Sequence, residues 1–345
     1  MSSRRLVVDL RSRTATFRIP DEVAERLISV TPEGWSTTVV EAETDSFGDG
    51  AQAPSAESLT AVADAEVYLG YGMPALLFLA AKRLRWIHTA TAGVASMMFP
   101  EMLASDVCVT NSAGVYGPPI AEHVLAGVMH FLRAFDVAGT LQRRAQWGPE
   151  LFGAGVAAVR ELSECRVLVV GAGGIGAEVA RRFGALGARV RGVRRTPSKG
   201  QPPGFELVVG VDQLDQELPA ADVLVLAAPL TTETRALLTG ARIERLPPGA
   251  ILCNVSRGAL VDEPALIRAL QSGRLRGAVL DVFAQEPLAL ESPLWQLPNV
   301  LHTPHVSGVS PGRFWGRLAE LFADNWARYR RGEPMRNLVN KHAGY

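Results

Sequence analysis

Cysteine is scarce in this chain: Cys108, Cys165 and Cys253 are three in 345 residues. An odd number with no paired spacing excludes a disulfide scaffold and supplies no Cys-based metal motif. Each lies in or beside an apolar run, so buried free thiols and a reducing, cytoplasmic setting are expected. Long hydrophobic runs are missing as well. The most apolar short stretch, Ala75 to Ala81, stops at Lys82, far below the roughly 20 residues that a membrane helix needs. After Arg4-Arg5 only Leu6-Val7-Val8 precede Asp9, too little for the apolar core of a signal peptide. Net charge is absent: Lys plus Arg and Asp plus Glu balance at 35 each. That balance gives no reason to expect nucleic acid or an anionic membrane as a partner. No His, Cys, Asp or Glu cluster has metal-ligand spacing, so no metal is expected.

What is present is length and a regular alternation. A chain of 345 residues, 48% apolar and 20% charged, has room for two domains that each bury a core. Short runs rich in Val, Leu and Ile recur at Arg5–Leu10, Glu66–Tyr71, Leu84–His88 and Asp106–Thr110. A second series follows at Arg166–Val170, Arg189–Val193, Asp222–Ala227, Ala250–Val255, Ala278–Phe283 and Val300–Thr303. Helix-like segments separate the runs, which predicts βαβ units and two parallel sheets. Between the series, Ile120, Val124, Leu125, Val128, Phe131, Leu132 and Phe135 repeat at helical spacing after Pro118-Pro119, predicting one long connecting helix from Pro119 to about Gln146. Trp147 to Glu164 reads as a loop, and so does the Gly/Ala/Ser-rich stretch from Phe47 to Ser58. After Pro311, the spacing of Phe314, Trp315, Leu318, Leu321, Phe322, Trp326 and Tyr329 predicts an amphipathic helix with a solvated basic end at Arg328 to Glu333.

A glycine fingerprint opens the second series. The run Val167-Leu168-Val169-Val170 leads straight into Gly171-Ala172-Gly173-Gly174-Ile175-Gly176, and Val179, Ala180, Phe183 and Leu186 then mark a helix closed by Gly187. Spacing alone is weak support in a chain with 33 glycines, but strand, turn and helix in this order specify a dinucleotide-binding turn. Gly171 permits the tight turn, Gly173 lets backbone amides approach a pyrophosphate, and Gly176 lets helix and sheet pack. The helix N-terminus, with Gly174 and Ile175, supplies anion-binding amides. An acidic residue at the end of the next strand selects NAD; here that strand runs into Val193-Arg194-Arg195-Thr196, with Lys199 following. Two readings of the basic pair stand: guanidinium groups for a 2′-phosphate, or a solvated turn. The first predicts NADP as the preferred cofactor with NAD accepted.

Three later blocks carry a resemblance: Asn254-Val255-Ser256-Arg257-Gly258, Leu280-Asp281-Val282-Phe283 through Glu286-Pro287, and Thr303-Pro304-His305-Val306-Ser307-Gly308. With Thr91-Ala92-Gly93-Val94 and Ile120-Ala121-Glu122-His123, they make the chain resemble the D-isomer-specific 2-hydroxyacid dehydrogenases over nearly its whole length. Taken singly, an Arg beside Gly, a Glu before Pro and a Pro-His pair each have a structural reading. In order behind the fingerprint they describe a site for reducing 2-keto acids. Arg257 suits a substrate carboxylate and carbonyl, His305 suits proton exchange near neutral pH, and Glu286 suits the orientation of His305.

The resemblance further implies cofactor contacts from Pro229, Val255, Ser256, Asp281 and Ser307, with Asp281 facing the nicotinamide carboxamide. It implies substrate contacts from the backbone of Ala92, Gly93 and Val94. It implies an α/β fold of two Rossmann-like, doubly wound parallel-sheet domains joined by interdomain helices. The first is discontinuous, residues 1–117 plus 309–345, and binds substrate; the second is 118–308. A homodimer through the connecting helix and Trp147 is implied too. Trp86, Tyr116 and Trp315 are candidates for shaping specificity, whereas His123 and His130 read as packing or hinge residues. Within this resemblance a 3-phosphoglycerate dehydrogenase and a dinucleotide-sensing corepressor stand as alternatives. The missing regulatory domain and phosphate-binding cluster count against the one, and the neutral charge against the other.

Overall fold

The computed structural model describes residues 4–29, 31–46, 53–153, 155 and 158–344. The chain divides into two compact units, Met1–Tyr116 with Val309–Tyr345, and Gly117–Gly308.

Among the described residues the first unit is built on five parallel strands: β1 (Arg4–Asp9), β2 (Trp35–Val39), β3 (Val67–Gly70), β4 (Trp86–Thr89) and β5 (Cys108–Asn111), in the order β2-β1-β3-β4-β5. Helices on both faces require apolar side chains on both faces of the strands. Val7, Ile87 and Val109 bury one face together with Val62 and Leu77. The other face is an aromatic layer: Trp86, fully buried, stacks on Phe322 at 5.3 Å and 11° and lies 5.2 Å from Tyr329. Both partners belong to the helix Pro311–Arg331, which Gly332 ends in the left-handed conformation at φ 68°. The chain beyond it pairs with β5, where Val339 N–H donates to Val109 O.

Three expectations need correcting in this unit, and one strand, β2, gives no signal in the sequence. Trp86 is a core residue under the C-terminal helix and cannot shape specificity directly. β2 is an edge strand whose five residues are all half-buried, so Trp-Ser-Thr-Thr-Val lacks the apolar run that marks its neighbours. The supposed loop from Phe47 to Ser58 lies in part, at 47–52, outside the described residues. Its end is instead a helix, Ala56–Val62, capped by the Ser55 hydroxyl, which accepts from Ser58 N–H. Cys108, at the start of β5, is exposed, while Cys165 and Cys253 are buried.

Among the described residues the second unit carries seven parallel strands: β6 (Arg166–Val170), β7 (Arg189–Val193), β8 (Leu207–Val209), β9 (Val223–Leu226), β10 (Ala250–Asn254), β11 (Leu275–Leu280) and β12 (Val300–His302). Their order is β12-β11-β10-β9-β6-β7-β8, the doubly wound arrangement whose switch point falls between β6 and β9. β8, a strand of only three residues at the sheet edge, escapes sequence reading. β11 ends at Leu280 and not at Phe283, because Asp281 to Phe283 turn into the site loop.

The connecting helix is two helices, Gly117–Leu132 and Phe135–Arg143, bent by 64°. The periodicity continues through the break, but the backbone does not. Ala134 takes a left-handed φ of 54°, and Arg160 N–H donates to Leu132 O, filling the acceptor that a next helical turn would use. A bidentate ion pair between Arg276 and Asp136, at 2.7 and 2.8 Å, ties the second helix to β11.

His88 in β4 yields a stability prediction. Fully buried, its Nδ1 lies 2.7 Å from Thr110 Oγ1, and burial pushes its pKa down from 6.5 to about 3. The folded state therefore keeps the ring neutral, while the unfolded chain takes up a proton below about pH 6.5. Stability from this group is complete above that pH and is lost as pH falls towards 3. Between pH 7 and pH 5 the loss is roughly 2 kcal/mol. Urea unfolding at the two pH values should show this increment in the natural protein and not in His88→Gln; equal losses in both would remove the assignment.

Candidate active site

The site is assembled at the carboxyl ends of the second sheet. At the end of β6 the glycine turn has three distinct environments. Gly171 adopts φ 107°, and a Cβ there would lie 2.5 Å from Ala228 N. A Cβ on Gly176 would lie 2.1 Å from Gly171 O, so the helix Gly174–Ala185 starts in direct contact with the turn. At Gly173 a Cβ would meet nothing within 4 Å. Two glycines are thus required by the fold, and the third faces open space, as a cradle for an incoming phosphate group must. Arg194 and Arg195 follow β7; Arg194 donates to Gly200 O at 3.2 Å. The turn after β9 is knitted by its own threonines: Thr234 Oγ1 accepts from Thr231 N–H and donates to Pro229 O. Pro229 is exposed.

Arg257 is positioned by a buried amide. Asn254, the last residue of β10 and fully buried, accepts from Ser256 N–H at 3.1 Å and donates to Arg257 O at 3.0 Å. This side-chain-closed turn buries Val255 and Ser256 and leaves Arg257 half-buried. Arg257 Nη1 also donates to Ser256 O.

Glu286 and His305 form the second part. His305 Nδ1 and Glu286 Oε2 are 2.8 Å apart, and Glu286 Oε1 accepts from Phe283 N–H at 2.9 Å. Burial works to raise the Glu286 carboxyl. The hydrogen bonds from His305 and Phe283 and the charges of His305 and Arg257 outweigh it and hold the group below its ordinary value. Glu286 is therefore ionised through the neutral range, with its charge directed at the imidazole.

His305 itself has a φ of 56°, a conformation that a non-glycine residue keeps only when its surroundings enforce it. Asp281 enforces it. Its fully buried carboxylate accepts from Thr303 Oγ1, from Val306 N–H at 2.8 Å and from Ser307 N–H at 2.9 Å, while its carbonyl accepts from His305 N–H. His123 Nε2 lies 3.3 Å from Thr303 Oγ1. The Asp281 carboxylate shapes the loop that carries His305. Ser307 is buried beside it.

The structure thus brings Arg257, Glu286 and His305 to the ends of adjacent strands, with Asn254 and Asp281 beneath them. Neither support is assigned that part by sequence reading. An Asn at a strand end, with polar residues directly after it, was the available signal for the first. In the first unit, Ala92, Gly93 and Val94 form the turn after β4, where Ala92 O accepts from Asn111 Nδ2 and Gly93 O from Thr91 Oγ1.

A glycine turn at the switch point of a doubly wound sheet, followed by an arginine and a carboxylate–histidine pair at its strand ends, defines a nicotinamide-dependent oxidoreductase. The family model for the D-isomer specific 2-hydroxyacid dehydrogenase NAD binding domain matches residues 125–307. Glyoxylate/hydroxypyruvate reductase A of Salmonella choleraesuis is 34% identical over 279 residues, 79% of this chain and 85% of that protein. A D-isomer specific 2-hydroxyacid dehydrogenase from Xanthobacter autotrophicus Py2, solved with NADPH and MES, superposes with a TM-score of 0.81 at 30% identity, covering 100% of both chains. An NADPH-dependent glyoxylate/hydroxypyruvate reductase from Sinorhizobium meliloti, solved with NADP and sulfate, gives 0.78 at 27% identity over 99% of this chain and 100% of that one. The chain belongs to the D-isomer specific 2-hydroxyacid dehydrogenase family and is an NAD(P)-dependent 2-hydroxyacid dehydrogenase.

Gly258 supplies a test of how the site is held. A Cβ there would lie 1.9 Å from Phe283 C and 2.0 Å from Phe283 O, so the backbone behind Arg257 rests directly on the loop leading to Glu286. Gly258→Ala must separate the two loops. We expect kcat/KM to fall about 100-fold, as an ångström-scale misplacement does. Gly312→Ala, with open space around it in the helix Pro311–Arg331, should leave kcat/KM unchanged and Tm unchanged or slightly raised, and equal loss of kcat/KM in the two variants would contradict the packing argument.

Proposed function

We propose that the protein reduces small 2-keto acids to D-2-hydroxy acids with NADPH, of which glyoxylate and hydroxypyruvate are the first to try. The 2.8 Å contact between Glu286 and His305 Nδ1 carries this reading, because it commits one imidazole nitrogen to the carboxylate and assigns proton exchange to Nε2. Arg257 binds the substrate carboxylate and polarises the C2 carbonyl through its planar fork. As the carbonyl carbon gains its new C–H bond, the oxygen takes the π electrons, and the Nε2 proton of His305 passes to that oxygen. Glu286 stabilises the imidazolium that must be present at the start. When bound, the reduced nicotinamide supplies the hydride.

The glycine turn fits such a cofactor: the open side at Gly173 and the helix N-terminus at Gly174 and Ile175 receive the pyrophosphate, and Pro229, Val255, Ser256 and Ser307 line the cofactor. Arg194 and Arg195 take the 2′-phosphate, in keeping with the NADPH and NADP found in the Xanthobacter and Sinorhizobium structures. The backbone of Ala92, Gly93 and Val94 is assigned to the substrate carboxylate, which makes the first unit the substrate-binding domain.

A panel of keto acids with NADPH and NADH tests the reading. Arg257→Ala and His305→Ala should each lower kcat/KM by about 100-fold or more, and Arg257→Lys should not restore it. Glu286→Gln should move the alkaline limb of the reductive kcat/KM profile to lower pH by about one to three units, because the imidazolium loses its counter-charge. An unmoved limb would exclude the pair as the acid.

We also propose a homodimer. The helix Phe135–Arg143 buries none of its residues, and Phe135, Trp147 and Leu151 are 58%, 95% and 47% exposed. Apolar surface of this kind calls for a partner. Sedimentation velocity should give a dimer for the natural protein and a monomer for the double variant Phe135→Glu, Trp147→Glu.

A further inference from the structure

Opposite the basic turn stands an acidic residue that the proposed cofactor site does not use. Arg195 follows β7 and Glu233 lies in the turn after β9. These are the two strands that flank β6 and its glycine turn. Glu233 Oε2 lies 3.7 Å from Arg195 Nη1. The same oxygen accepts from Thr231 Oγ1 at 3.1 Å, and Thr231 is fixed in turn by Thr234. The hydroxyl of Thr231 thus turns the carboxylate towards the guanidinium.

We propose that Glu233 is a cofactor-selectivity residue, a built-in competitor for Arg195 that lowers the preference for a 2′-phosphorylated dinucleotide. This inference rests on the assignment of Arg195 to the 2′-phosphate. A phosphate monoester carries about −1.5 to −2 charges near pH 7. To bind Arg195 it must weaken the contact with Glu233, and it then remains close to that carboxylate. Both effects disfavour NADPH, whereas NADH brings no charge to this corner. The pair is half exposed on one side and more on the other, so its influence is modest and is screened by salt.

The test uses the full chain and direct titration with NADPH and with NADH. Glu233→Gln keeps an acceptor for Thr231 but removes the charge. The ratio of NADPH to NADH affinity should rise about two- to fivefold, the range that an exposed ion pair supports, and the rise should shrink in high salt. With Arg195→Gln already in place, Glu233→Gln should no longer change the ratio by that amount. A ratio unaffected by Glu233→Gln, or one that rises equally without Arg195, overturns the proposal. The ratio for the natural protein judges the NADPH reading separately: tighter binding of NADH would refute that reading, while the shift on Glu233→Gln still decides the role of the carboxylate.

Discussion

A carboxylate removed from water must be given hydrogen bonds in return, and at the end of β11 the need of Asp281 organises much of the site. Its donors all come from one neighbouring segment: Thr303, Val306 and Ser307. Satisfying the carboxylate folds that segment around it and holds His305 in a backbone conformation it would not choose alone. Asn254 does the same for its own strand, with an amide that can both donate and accept. The two supports are adjacent, since Asp281 N–H donates to Asn254 O. The register of two central strands is thereby converted into a fixed spacing between an arginine and a histidine.

Charge completes what the backbone begins. Glu286 is partly shielded from solvent, which would favour its neutral form, yet hydrogen bonds from a ring nitrogen and a main-chain amide and the nearby charge of Arg257 keep it ionised. The negative charge sits where an imidazolium would form. Proposed acid and counter-ion are thus adjusted to each other before any substrate arrives, the kind of preorganisation that lets a polar site work without rearrangement.

Much of this was legible in the sequence because the physics involved is local. The strands β6 to β12, apart from β8, announce themselves as apolar runs, and the glycine turn is a sequence-local object whose neighbours can be read off. Arg257, Glu286 and His305 could be singled out through the family resemblance of the blocks that carry them, each of which follows a predicted strand. What could not be read depends on partners distant in the chain. The bend at Ala134 needs Arg160 to occupy Leu132 O, and the burial of Trp86 needs a helix that begins at Pro311. β2 and β8, at sheet edges, lack the two-sided burial that writes an apolar run. The work of Asp281 is written in the segment 303–307, not in its own surroundings.

The aromatic layer over the first sheet has a consequence for the order in which the chain acquires its structure. Trp86 belongs to β4, but Phe322 and Tyr329, which cover it, follow the whole of the second unit. During synthesis, which proceeds from the N-terminus at about 5–20 residues per second, β1 to β5 emerge with one face uncovered. The second unit, continuous from Gly117 to Gly308, has every strand of its sheet before the helix Pro311–Arg331 is made. The unit that starts first is therefore the one that finishes last, and until the helix Pro311–Arg331 is made the face of the sheet that carries Trp86 has no cover from it.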